Sequence, residues 1–125
     1  MDWLPWVIGA ALLIALFVWR TLARRLSVEQ AQQIRVALED GAKLVDVRTP
    51  QEFAAGHVIG AINIPMSQLG SRTRELGKRG KPLVVYCHTG SRSRHAVRFL
   101  QQQGYKRVLD LKAITNHGAV GLATR

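Results

Sequence analysis

Between Trp3 and Trp19 the chain reads W-L-P-W-V-I-G-A-A-L-L-I-A-L-F-V-W, seventeen residues without a charge. A run this apolar is not left in water: it is cleaved off, buried in a core or placed in lipid. A helix rising ~1.5 Å per residue needs roughly 17 to 25 apolar residues to cross a bilayer, so the run just suffices, and Thr21 to Ala23 extend it if Arg20 snorkels. Trp3, Trp6 and Trp19 stand at its two ends, where amphipathic rings favour the lipid–water boundary. Pro5 falls in the first turn, where its missing N–H does no harm. A cleaved signal peptide fits less well, because Asp2 is acidic, no basic residue precedes the run and no small-x-small site precedes Arg20. A buried core helix fits least. Arg20, Arg24 and Arg25 crowd the C-terminal flank, and the N-terminal flank has no counterpart. The positive-inside rule then predicts a single pass through a cell inner membrane, with residues 20 onward facing the cytoplasm. The expected division is an anchor with its basic flank over residues 1–25 and one domain over residues 26–125.

That domain has room for one small core. With 47% hydrophobic and 21% charged residues the chain is not a disordered one. Its single cysteine, Cys87, excludes an intrachain disulfide framework and any cysteine-rich metal site, leaving a buried thiol, a reactive thiol or an intermolecular bridge. No cofactor and no metal are expected. The formal charge is +10, and residues 26–125 still carry 15 basic against 7 acidic side chains, so the anchor flank does not account for it. Nucleic acid is not an expected partner, since no aromatic interleaving or binding motif accompanies the charge. Much of it is expected on a solvated or lipid-facing surface.

Ser27-Val28-Glu29-Gln30 has the form of a capping box and opens a helix expected to bury Val28, Ala31, Ile34 and Leu38, with Gly41 past its end. Lys43 to Val47 reads as a strand, and T-P-Q-E then starts a short helix through Ala55. Glycine-bracketed extended pieces lead to Pro65, and Ser71 to Lys81 is a basic, solvated stretch. Pro82 to Cys87 is the clearest strand, too apolar to alternate and so covered on both faces. A helix over about Arg92 to Gln103, stopped by Gly104, and a strand over Lys106 to Leu111 complete the pattern. Strands alternating with helices predict an α/β domain with a mainly parallel central sheet.

The loop Cys87-His88-Thr89-Gly90-Ser91-Arg92-Ser93 joins the apolar strand to the next helix. The thiol therefore stands at the carboxyl end of a parallel strand, where open α/β sheets bind ligands. Successive N–H groups of such a loop, together with the helix N-terminus, can cradle an anion, and that field favours the thiolate over the thiol. The bland alternative is a small buried cysteine ending a strand. Likewise His88 is read as exposed, Arg92 as either an anion ligand or a first-turn residue, and Arg94 and Arg98 as solvated.

Three ordered segments now carry a resemblance: D-V-R-T-P-Q-E-F from Asp46, the following G-H-V-I-G-A-I-N-I-P, and the loop C-H-T-G-S-R-S. Together they resemble the rhodanese family of single-domain sulfurtransferases over residues 27 to about 111. The resemblance implies a rhodanese-like three-layer fold and a cysteine that shuttles sulfane sulfur. A small anionic donor such as thiosulfate would give a persulfide on Cys87, which a thiol, a protein sulfur acceptor or cyanide then removes. Carried over, Cys87 is the nucleophile, His88, Thr89, Gly90, Ser91, Arg92 and Ser93 bind the donor, and Asp46 and Arg48 support the loops. Glu52 is an expected partner of that pair, and His57 is read as a turn residue satisfied by local hydrogen bonds.

One stretch departs from the family pattern. Lys112 and Ala113 stand where the family usually has two glycines, and His117 stands in the place of a tryptophan. Larger residues there are expected to reshape the pocket, with Lys112 adding positive charge at the carboxyl edge of the sheet. The segment ending at Arg125 is expected to be poorly tied down. Two other functions compete with this reading. A phosphatase or arsenate reductase loop needs five residues between its cysteine and arginine, whereas four separate Cys87 from Arg92. A non-catalytic, membrane-tethered interaction module is the second reading, although inactive relatives often lose the loop cysteine.

Overall fold

The computed structural model describes residues 1–125. Helix α1 (Leu4–Ala23) carries Pro5 in its first turn and buries none of its residues. Helix α2 (Val28–Glu39) opens on the capping box, with the Gln30 N–H donating to Ser27 Oγ at 3.1 Å and the Ser27 N–H donating to Gln30 Oε1 at 2.9 Å. Its buried residues are Ile34 and Ala37, whereas Val28 is exposed. Val28 is the first helical residue, and the sheet begins to cover α2 only a turn further on.

Strand β1 (Lys43–Asp46), helix α3 (Pro50–Ala55), strand β2 (Ile62–Asn63), strand β3 (Leu83–Cys87), helix α4 (Ser91–Gln102) and strand β4 (Val108–Ala113) follow. Short 3₁₀ turns cover Met66–Ser71, Thr73–Leu76 and Ile114–Val120. The four strands are parallel, in the order β2-β1-β3-β4. The α/β class with a parallel central sheet is as expected, and the three layers arise from the two faces of β3. All five of its residues are buried, yet they alternate. Leu83, Val85 and Cys87 pack with Leu69, Leu76, Ala96 and Leu100 on one face, while Val84 and Tyr86 pack with Ile34, Ala37, Val58 and Val120 on the other. The stretch Ser71 to Lys81 is therefore not wholly solvated, because Leu76 is fully buried beneath its basic neighbours.

Two departures from regularity bear on the site. β4 lies two residues later than the sequence suggested and carries a bulge: Val85 pairs with Asp110, and Tyr86 with Lys112. The extra residue, Leu111, drops into the core, and Lys112 takes a left-handed conformation (φ 68°), an unusual one for a side chain of its size. The C-terminal segment is tied down, contrary to expectation. The His57 and Arg125 backbones exchange hydrogen bonds of 3.1 and 2.8 Å, and the Ile59 N–H donates to the Ala123 carbonyl at 2.8 Å.

Candidate functional site

Cys87 ends β3 with its side chain buried, and the chain turns through His88, Thr89 and Gly90 into α4. Gly90 makes that turn possible. Its φ of +99° disfavours any side chain, and a Cβ there would lie 3.3 Å from Lys112 Cβ. The turn aims the Gly90 N–H at Cys87 Sγ, 3.0 Å away. No side chain caps α4, and the N–H groups of His88, Thr89, Ser91, Arg92 and Ser93 have no acceptor within the chain. Unsatisfied donors at a helix N-terminus carry partial positive charge and suit an anion. Ser93, fully buried, braces the loop from below: its hydroxyl lies 3.1 Å from the Gly90 carbonyl and 3.4 Å from that of Lys112. His88 and Ser91 are exposed, and Thr89 is half-buried.

Arg92 does not stand free. Its guanidinium grips Glu52 with two charge-assisted hydrogen bonds, Nη1 to Oε1 at 2.6 Å and Nη2 to Oε2 at 2.8 Å. Glu52 is in turn the N3 residue of the α3 capping box, linked to the Thr49 N–H at 3.2 Å. The hydrogen bonds from Arg92, with those from Thr49, hold the Glu52 carboxyl down at about 2. Sequence reasoning placed Glu52 beside Asp46 and Arg48; the structure gives it to Arg92 instead, and so couples the loop to α3.

A depressed carboxyl pKa stabilises the fold above the group's unfolded value, roughly 4.3, and that contribution is lost as pH falls through the folded value. Since both side chains are about one-third exposed, solvent screening limits it to about 1 kcal/mol. Glu52→Gln is therefore expected to lower stability by about 1 kcal/mol at neutral pH, with the gap to the parent narrowing between about pH 4.5 and 2. Denaturant titrations of both proteins across that range check it, and a gap independent of pH would refute it.

Asp46 and Arg48 form a separate, deeply buried pair. Arg48 Nε lies 3.0 Å from both carboxylate oxygens and Nη2 lies 2.7 Å from Oδ2, with side-chain exposures of 5% and 0%. Nη2 also donates to the Gly56 carbonyl at 2.6 Å, and the guanidinium carbon lies 5.7 Å from the centre of the Tyr86 ring. Tyr86 completes the cluster by accepting the Val58 N–H at 3.0 Å, and burial pushes its phenol well above the usual range. Asn63, overlooked in the sequence, donates to the carbonyls of Asp46 (3.0 Å) and Arg48 (2.9 Å). A polar residue between two isoleucines just before Pro65 was the available signal. His57 makes the expected local contacts, stacked on Phe53 at 3.8 Å with Nδ1 2.9 Å from the Phe53 carbonyl, but it lies outside any turn, in the extended stretch whose backbone pairs with Arg125.

The segment around Lys112 faces α1. Lys112 Nζ reaches back to the carbonyls of Ala23 (3.4 Å) and Arg25 (3.3 Å), and Asn116 Nδ2 donates to the Arg24 carbonyl at 2.7 Å. Lys112 thus spends its charge on the C-terminal end of α1, where a cation is favoured. His117, in the place of the family's tryptophan, makes a local contact of 2.8 Å from Nδ1 to the Leu122 carbonyl.

The profile of the rhodanese-like domain matches residues 30–113. The chain is 44% identical over 71 residues to the uncharacterized protein YqhL of Bacillus subtilis, covering 57% of this chain and 56% of the length of that relative. It is 38% identical over 88 residues to the thiosulfate sulfurtransferase GlpE of Pseudomonas aeruginosa strain LESB58, covering 70% of this chain and 76% of that one. Among solved structures it resembles a rhodanese with anions from E. coli, with a TM-score of 0.62 at 27% identity over 67% of this chain and 96% of the other. With a parallel sheet, a cysteine-ended central strand and an uncapped loop entering α4, the chain belongs to the rhodanese-like domain family as a single-domain member with sulfurtransferases among its relatives.

Proposed function

We propose that this chain is a membrane-tethered sulfurtransferase that carries a sulfane sulfur on Cys87. In the first step the Cys87 thiolate attacks the outer sulfur of thiosulfate, or the terminal sulfur of another persulfide donor. A new S–S bond forms at Cys87, the bond inside the donor breaks, and sulfite or the donor thiolate leaves with the electron pair. In the second step an acceptor thiolate or cyanide takes the terminal sulfur and the Cys87 thiolate is regenerated, so no outside oxidant is needed. Donor binding falls to the loop His88 to Ser93, with Arg92 held beside it by Glu52. Asp46 and Arg48 are positioning residues for the strand-end loops.

The observation that carries this reading is the Gly90 N–H aimed at Cys87 Sγ at 3.0 Å, with five neighbouring N–H groups lacking acceptors. Such donors stabilise the anionic sulfur in both steps. Full-length protein incubated with thiosulfate and then weighed intact is expected to gain one sulfur atom, removable by a thiol reductant. No gain with thiosulfate or with any persulfide donor would leave the non-catalytic interaction module as the better reading.

Tethering is supported by α1. Its 20 residues span about 30 Å, the thickness of a bilayer's hydrocarbon core, and large apolar side chains from Trp6 to Trp19 are exposed around it. The three arginines at its C-terminal end favour a cytoplasmic domain at an inner membrane, with residues 1–25 as anchor and flank and 26–125 as the catalytic unit.

A further inference from the structure

A cleft of about 430 Å³ opens between the C-terminal end of α1 and the flank of the Cys87 loop. Arg20 and Arg24 stand on one wall, and Thr89, Ser91, Arg94, Asp110 and Lys112 on the other. Four cations face one carboxylate. That carboxylate is already occupied: Asp110 Oδ1 accepts the Lys112 N–H at 2.8 Å, and burial raises its pKa. The guanidiniums of Arg20, Arg24 and Arg94 form no ion pair in the chain, and Arg94 feels Asp110 only through a longer-range attraction. Three unpaired guanidiniums converging on one cleft, beside a helix end whose carbonyls Lys112 and Asn116 have satisfied, make a site with unspent positive charge.

A second furrow continues from the first along α1. It is lined by Leu13, Leu16, Phe17 and Thr21 and shares Arg20 and Arg24 with the cleft. The arginines thus join a polar pocket to an apolar groove, the division found in a phospholipid between its phosphate and its acyl chains. A free inorganic anion has no use for the apolar part. We propose that the cleft between α1 and the Cys87 loop binds the phosphodiester headgroup of an anionic phospholipid, with an acyl chain along Leu13, Leu16 and Phe17. The proposal rests on the reading of α1 as a membrane anchor. It gives Arg94, on α4, a partner outside the protein, and it places that partner against Thr89 and Ser91 of the Cys87 loop.

The test uses the full chain reconstituted into phosphatidylcholine vesicles with and without phosphatidylglycerol. Flotation reports insertion, and native mass spectrometry of released protein reports retained lipid. The parent is expected to float with both vesicles and to retain one phosphatidylglycerol per chain. The Arg94→Gln and Arg24→Gln/Arg94→Gln proteins are expected to float equally well, with retention weakened roughly fivefold in the single variant and roughly thirtyfold in the double variant, since each basic side chain at an anionic surface is worth about fivefold in affinity. Lys78→Gln/Lys106→Gln, which removes two exposed charges away from the cleft, is expected to retain it as the parent does. Flotation with no selective retention, or retention unchanged in the double variant, overturns the lipid site alone. Displacement of the lipid by millimolar inorganic phosphate overturns it in favour of a free-anion site. Failure to float in either vesicle overturns the anchor, and the lipid site falls with it.

Discussion

Cys87→Ser protein is expected to lose sulfur transfer by ~10³-fold or more and to gain no sulfur from thiosulfate, while keeping its fold. The hydroxyl fits the same space and can still accept the Gly90 N–H that now lies 3.0 Å from the sulfur, so stability should change little. The chemistry has no substitute, because a serine is not ionised near neutral pH and the chain contains no second cysteine. Steady-state turnover with thiosulfate and cyanide, paired with intact mass and a thermal melt, separates the two effects. Residual turnover within tenfold of the parent would remove Cys87 from the reaction altogether.

Arg48→Ala is expected to have the largest effect on stability, a loss of about 3–5 kcal/mol, because it strands the Asp46 carboxylate in a site where it is 0% exposed. It also removes the donor to the Gly56 carbonyl and the cation over Tyr86. In a domain of this size the melting temperature should fall by more than ten degrees, roughly 12 °C or more. Asp46→Asn/Arg48→Met should be less damaging than Arg48→Ala alone, since no lone charge is left buried. Denaturant unfolding of the three proteins checks the ordering. If the double variant proved no more stable than Arg48→Ala, the stranded charge would not be the cause.

Where local chemistry decides the structure, the sequence was a good guide. Ser27 with Gln30 and Thr49 with Glu52 each close a capping box, because three-residue spacing alone brings the side chain to the backbone. The apolar strand ending at Cys87 was equally legible, since five consecutive buried residues demand cover on both faces. Contacts across long separations were not. The Glu52–Arg92 pair joins residues 40 apart, and nothing near either one distinguishes it from a pairing of Glu52 with Arg48. Lys112 was visible as a departure from the family's glycine, but its left-handed backbone and its reach to α1 depend on the β4 bulge. That bulge is a matter of register between two strands, which composition does not encode. The anchoring of the C-terminal segment fails in the same way, for it rests on backbone bonds to His57 and Ile59, which carry no side-chain signature.

The junction between α1 and the domain has a consequence for how acceptors are met. α1 ends at Ala23 and α2 begins at Val28, so the leash is residues 24–27, about 14 Å at full stretch. Asn116 and Lys112 shorten it further by holding its carbonyls against β4. With α1 in a bilayer, the sulfur is kept at a nearly constant height above the lipid surface and cannot swing out to meet partners in bulk solution. On that proposed anchoring, an acceptor that diffuses in the same plane searches two dimensions at a matched altitude. With the chain anchored as proposed, the short joint selects partners by where they travel before any side chain selects them by shape.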